Sequence, residues 1–356
     1  MANKLLKLPG LCDVHVHLRE PGGEQKEDFE TGTRAAIAGG YTQILDMPNN
    51  IPPTITIATL YDKIKRAKGR IYCDLGFNFG ATITSTKYFS KVYEKVFGLK
   101  IYMDQTTGPL LVTNQKEREM IFKSWQSKLP IMVHAQGELV KDAITLAKKF
   151  KKKIHICHIT ADQLYSIQKA KKEGLEITSE VCPHHLFLTT NDVKRLGPLG
   201  IMKPPLLDKS GQQKLWENLD KIDMISTDHA PHTLSEKHDQ TYPKFGVPGL
   251  ETTLPLMLTA VAKGLITQER LVQMLAGNPR KIFHLQNQPK TYVVVDTSKK
   301  YKIAAKNLFT KSGWTPFIGL KGRGKVVKVV LRGKTVFENG RFLGKPQGHV
   351  IYPKYS

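Results

Sequence analysis

Two histidines separated by a single residue, His15 and His17 in the run DVHVHLREPG, are the first residues whose types and spacing could do chemistry. In an extended strand, residues two apart share a face, so both imidazoles can point into one interior. Neutral imidazoles paired this way suit a zinc-like cation. A pair of buried core histidines fits the same pattern equally well. His134, His158 and Asp228 break that tie, because each ends a short apolar run of strand character. In closed α/β barrels, metal and catalytic groups come from the C-terminal ends of several different strands. Lys100, in GLKIYM, lies inside another such run. An unpaired ammonium is costly to bury, so an outward, snorkelling lysine is the plain reading of that position alone. Beside two cations, a lysine can instead be held in a deprotonated, modified form.

The elements that must position these groups follow from short runs rich in Val, Ile and Tyr alternating with helical patterns, the mark of βα units and a parallel sheet. The expected strands are 11–17, 41–47, 70–79, 99–104, 130–134, 153–158, 175–182 and 222–228, the number that a closed barrel needs. Helical periodicity covers 28–38, 57–67, 115–127, 139–150 and 161–172, and later 250–263 and 267–276, with Asn278-Pro279 as the stop. Pro198, Pro204 and Pro205 interrupt 190–211, which predicts a long loop on the active face. From about Tyr292 the pattern changes to short alternating strands, 326–332 and 335–338, and the lysine-rich 298–302 reads as an exposed turn. The expected architecture is a (β/α)₈ TIM barrel over 10–288 with a small β-rich accessory subdomain from 1–9 and 289–356.

A chain of 356 residues, 40% hydrophobic and 24% charged, has the composition of a folded globular protein. It lacks an apolar run long enough to span a bilayer, and its first residues lack a signal peptide's apolar stretch, so membrane attachment is not expected and a cytoplasmic location is. Cys12, Cys73, Cys157 and Cys182 are too few and scattered for a disulfide framework. With 54 basic against 31 acidic residues, the formal charge is +23, but the lysines are dispersed and no aromatic-interleaved basic tract is present. A solvated lysine-rich surface is therefore preferred over a nucleic-acid partner.

The segments DVHVHLREPG, MPN at 47–49, GLKIYM, VHA at 133–135, HICH at 155–158, SEVCPHH and TDHAPHT, with VPGLETTLPL, NPRKIFHL and VVLRGK further on, together resemble the dihydroorotases. The likeness is strongest to the dihydroorotase domain of animal multifunctional pyrimidine-synthesis proteins. It implies the metal-dependent amidohydrolase type of barrel and the reversible closure of N-carbamoyl-L-aspartate to L-dihydroorotate and water. By the same resemblance, Lys100 is N-carboxylated and bridges two zinc ions together with a hydroxide. His15, His17 and Asp228 hold one zinc, and His134 and His158 hold the other. Asp228 is then also the general acid and base, taking the hydroxide proton in ring opening and passing it to the ring nitrogen.

The resemblance further assigns Arg19, Asn49 and His232 to the substrate carboxylate, and Pro248 and Gly249 to backbone contacts with the ring. Without it, a surface salt bridge, a turn asparagine and a capping histidine are the simpler readings. Asp104 to Leu111 corresponds to a loop that closes over substrate, with Thr106 as its contact. Thr107 stands where the animal proteins have phenylalanine, and Lys203 where they have arginine, which replaces a bidentate contact by a point charge. Cys157 and Glu180 match a third zinc site; a buried thiol and a carboxylate supporting the metal ligands fit equally well.

The alternatives are another cyclic-amide hydrolase, allantoinase or dihydropyrimidinase, and a non-catalytic scaffold. Allantoinase has asparagine in place of Arg19, and dihydropyrimidinase substrates lack the ring carboxylate. A scaffold would have lost metal ligands, and none is missing here. A homodimer is expected by family resemblance. Carbamoyl-phosphate synthetase and aspartate transcarbamoylase domains are expected partners if this is an excised part of a longer protein; a separate enzyme is equally open.

Overall fold

Apolar runs of two to six residues, rich in Ile, Val and Leu and buried on both faces, are too short for helices and form parallel strands instead. The computed structural model describes residues 5–354 except 240, 243 and 307. Residues 1–4 and 355–356 of the expected accessory segments therefore lie outside the described residues. After β1 (Leu5–Pro9), the chain enters β2 (Leu11–Val16), β3 (Tyr41–Asp46) and β4 (Asp74–Phe77), which pair in parallel. A second parallel set comprises β5 (Phe79–Gly80), β6 (Leu99–Tyr102), β7 (Ile131–His134), β8 (Ile154–Ile156), β9 (Ile177–Val181) and β10 (Met224–Ile225).

Asn78 splits the expected third strand, so that β4 pairs with β3 on one side while β5 pairs with β6 on the other. At the opposite seam, Val16 bridges His229 in parallel, His17 N donates to His229 O at 2.8 Å, and Thr227 N donates to Asp13 Oδ2 at 3.1 Å. These contacts close the expected eight strand paths into a barrel.

The helices cover the barrel with narrow apolar stripes. Ile57–Ala67 starts at the Thr56 cap and buries Leu60, Lys63, Ile64 and Ala67. Lys63 is an ammonium on a face that should be apolar. Its Nζ lies 2.6 Å from Asp46 Oδ2 and donates to Met47 O at 2.8 Å and Asn50 Oδ1 at 2.5 Å, with both charged side chains fully buried. It thereby ties the helix to the end of β3 and to the turn that carries Asn49. Removing one member of such a pair strands the other charge. Lys63→Met is expected to cost about 3–5 kcal/mol of stability, read from urea unfolding midpoints at constant slope.

Three expectations are corrected. Residues 190–211 are not one long loop: helix Thr190–Leu196 is followed by a 3₁₀ turn, Gly197–Gly200, and helix Lys209–Glu217 begins within the same stretch. Pro198 occupies the first turn of the 3₁₀ segment, where its missing N–H is no loss. Asn278-Pro279 is likewise no stop, because Pro279 sits in the first turn of a further helix, Asn278–Ile282. Residues 298–302 are not a turn but the exposed end of β11 (Tyr292–Lys302), beyond a register shift between Asp296 and Lys300.

β11 pairs antiparallel with β1 and with β12 (Lys321–Leu331), and β13 (Lys334–Glu338) and β14 (Arg341–Phe342) complete a five-stranded sheet. The end of the chain leaves that sheet and returns to the barrel: Leu75 N donates to His349 O and Ile351 N to Leu75 O, both at 2.9 Å. Among the described residues, no helix is long and apolar enough to cross a membrane.

Candidate metal centre

The C-terminal ends of the barrel strands converge on a cleft with about 360 Å³ of empty space, lined among others by His15, His17, Lys100, His134, His158 and Asp228. His15 and His17, two apart across the end of β2, stand on the same side, and their ring centroids are 5.4 Å apart. Arg19, His158 and Asp228 have φ of 63°, 35° and 45°, values uncommon for residues with a Cβ. Such conformations persist where surrounding structure enforces them, and here they belong to three residues of one cleft.

The hydrogen bonds fix which nitrogens face inward. His15 Nδ1–H donates to Glu180 Oε1, and His17 Nδ1–H donates to Asn49 Oδ1 at 2.7 Å. Each ring therefore presents its Nε2 lone pair to Asp228, whose Oδ1 lies 3.5 Å from that of His15 and 3.2 Å from that of His17. Burial, together with the nearby Lys100 and Arg19 charges, pushes His17 well below the ordinary histidine range, and burial also lowers His15. Lone pairs facing a carboxylate oxygen without a proton between them call for a cation.

His134 Nδ1 and His158 Nε2 approach to 2.9 Å, while His134 Nε2 and His158 Nδ1 are buried without a hydrogen-bond partner. Both rings are held well below the ordinary range, first by burial. Unpaired buried nitrogens of this kind are costly unless something ligates them. The donor set thus fits metal ions. One donor atom each from His15, His17 and Asp228 lies within 4.8 Å of the others, as does one each from His15, Cys157 and Glu180.

Lys100 is fully buried on β6, so it does not snorkel outward, and its Nζ donates to Cys157 Sγ at 2.9 Å. Glu180 accepts from His15, from His155 Nε2 at 3.1 Å and from His158 N at 3.2 Å. Burial alone would raise its carboxyl, but the His15 and His155 contacts hold it well below the usual range. Burial pushes Asp228 up, against the opposing pull of His15 and Lys100.

Of the expected substrate contacts, Arg19, Asn49, Thr106 and Lys203 line the cleft. Arg19 Nε donates to Pro231 O at 3.0 Å, and its Nη2 lies 3.0 Å from His232 Nε2, which is equally close to Phe245 O. His232 lies behind Arg19, so it reaches the cleft through that contact. Asn49 is occupied at both ends, since its Nδ2 donates to Thr107 O at 3.0 Å. Pro248 and Gly249 are not brought to the cleft: they line a smaller pocket beside it, and Gly249 N donates to His229 Nδ1 at 3.2 Å.

Tyr102, Thr107, Ala230, Phe245 and Gly246 complete the walls, and sequence reasoning gave none of them a contact. Tyr102 had a signal, because it lies two residues after Lys100 on one strand and so shares its side. Phe245 had none, as it reaches the site on an irregular segment. Thr107 Oγ1 accepts from Phe245 N at 3.2 Å, which joins the 104–111 loop to that segment across the mouth of the cleft.

The amidohydrolase family model matches residues 6–336. The chain is 43% identical over 348 residues to "Multifunctional protein pyr1-3" of Dictyostelium discoideum, spanning 97% of this chain but only 16% of that protein. It is 39% identical over 358 residues to "Dihydroorotase" of Pyrococcus horikoshii, covering 97% of this chain and 84% of the relative. Among solved structures, the L-hydantoinase (dihydropyrimidinase) from Arthrobacter aurescens superposes with a TM-score of 0.93 at 26% identity, over 98% of this chain and 89% of the other.

Proposed function

Because the chain belongs to the amidohydrolase family, and within it to the dihydroorotases, we propose that it interconverts N-carbamoyl-L-aspartate and L-dihydroorotate. The observation that carries this reading is Arg19, a buried guanidinium on the wall of the cleft that holds the metal donors. Both partners of the proposed reaction bear carboxylate, and a planar guanidinium suits a bidentate grip on it.

His15, His17 and Asp228 would hold one zinc ion and His134 and His158 a second, with Lys100 between them as its N-carboxylated form. The burial of Lys100 among these donors supports that modification, since it replaces a buried ammonium by an anion beside cations. When bound, two such ions acidify water and polarise the amide carbonyl. Asp228, at the end of the eighth strand path, takes up a proton in ring opening and delivers it to the departing ring nitrogen; in ring closure it acts in reverse. Lys203 adds a point charge at the rim. The three donors to Glu180 support its role as the carboxylate that orients His15, in preference to a third zinc with Cys157.

The fold neighbour named as an L-hydantoinase keeps a carboxylate-free cyclic amide in view as the second substrate class. Dihydroorotate, allantoin and dihydrouracil assayed in parallel, with zinc measured on the same sample, test the proposal. Turnover of dihydroorotate alone, with at least two zinc ions per chain, is expected. Turnover of dihydrouracil without dihydroorotate would overturn the substrate assignment, and a metal-free sample insensitive to chelation would favour the scaffold.

A further inference from the structure

β9 continues through Cys182 into the short helix Pro183–Phe187, which carries His184 and His185 behind the cleft. One donor atom from each of Cys182, His184 and His185 lies within 4.8 Å of the other two, and all three residues are buried. None belongs to the two donor groups of the cleft.

The hydrogen bonds again fix a tautomer. His185 Nε2–H donates to Pro204 O at 3.1 Å, so its Nδ1 carries a lone pair, and that Nδ1 is buried without a partner. His184 Nε2 is likewise buried and unpartnered. Two neighbouring imidazoles with ring centroids 4.4 Å apart thus each leave a ring nitrogen unsatisfied beside a thiol. Native interiors rarely tolerate such vacancies, and a ring held by a backbone carbonyl through one nitrogen is the usual posture of a metal-ligating histidine.

We propose that Cys182, His184 and His185 form a separate binding site for one zinc-like divalent cation. One sulfur and two nitrogens select a borderline-soft ion and disfavour calcium or magnesium, which take oxygen ligands. Binding releases the Cys182 thiol proton to solvent, one per cation, and leaves a thiolate–metal bond. The Pro204 carbonyl couples the site to the segment that places Lys203 at the rim of the cleft. Its role is to pin that segment to the end of β9.

Cobalt(II) titration of the metal-depleted full chain tests this, because a cysteine thiolate on cobalt gives a charge-transfer absorption that histidine and carboxylate ligands do not. The band is expected in wild type and in Cys157→Ser, which keeps Cys182, and is expected to vanish in Cys182→Ser together with one equivalent of bound metal. Cys12, which donates to Gln43, and Cys73 are in none of the donor groups found among the described residues. A band that survives Cys182→Ser, or that Cys157→Ser abolishes, overturns the proposal in favour of the cleft. Should Cys182→Ser fail to fold, the other two proteins decide: the absence of the band from either one overturns it.

Discussion

Asp228→Asn is expected to lower kcat by about 10²- to 10⁴-fold, the range for loss of a positioned general acid and base, with a much smaller change in KM. The substitution keeps the shape of the side chain and removes only its ability to carry a proton and a full negative charge. It also respects the backbone. Asp228 sits at φ 45°, and asparagine is among the residues with a Cβ that best tolerate that region. A collapse of the eighth strand path is therefore not the expected cause of any loss. Because the carboxylate also faces His15 and His17, zinc content must be measured on the same protein. Lost turnover with retained metal reports proton transfer, whereas lost turnover with lost metal reports ligation. An Asp228→Asn protein that keeps its zinc and more than about a tenth of wild-type kcat would remove this residue from the proton path.

The placement of Asp228 illustrates what the amino-acid order made legible. His134, His158 and Asp228 are legible at strand ends because each closes a short run containing Ile, Val or Thr, and a parallel barrel strand, buried on both faces, is such a run. The ends of those runs are where burial stops being compatible with apolar side chains alone. Lys100 was not readable in this way. A lysine within a strand is normally resolved by pointing outward, and only its three-dimensional neighbours, Cys157 and the ring of Tyr102, show that it points inward.

What stayed illegible depended on contacts distant in sequence. The break at Asn78 arises because one strand serves two neighbours with different registers, which no local pattern encodes. Pro198 and Pro279 look like breakers in the sequence, yet each begins a helical segment, since proline disrupts a helix interior but not its first turn. His229 carries no signal of its own inside TDHAPHT, although its Nε2–H donates to the buried Glu27 at 3.3 Å while its Nδ1 accepts from Gly249. Glu27 in turn accepts from Thr310 Oγ1 and from Lys311 N, which ties the segment before β12 to the back of the centre. A network assembled from four separate parts of the chain carries no spacing signal.

Arg19→Ala is expected to lower kcat/KM for dihydroorotate by about 10²-fold, mainly through KM, as the loss of a charged hydrogen-bonding partner to a carboxylate implies. The same substitution should leave kcat/KM for dihydrouracil, if any is measurable, nearly unchanged, because that ring offers no carboxylate. The comparison separates recognition from architecture. Arg19 also donates to Pro231 O and packs against His232 Nε2, so its removal leaves the buried Pro231 carbonyl without that donor and costs stability of about 1–3 kcal/mol. Loosening of this kind would depress both substrates together, whereas lost carboxylate recognition depresses only one. Arg19→Lys sharpens the distinction: a point charge restores attraction without the planar fork, so it should recover only part of the loss on dihydroorotate. Equal losses on both substrates in Arg19→Ala, with no recovery in Arg19→Lys, would assign Arg19 to holding His232 and the Pro231 turn in place, and the selectivity for a ring carboxylate would then have to come from Lys203.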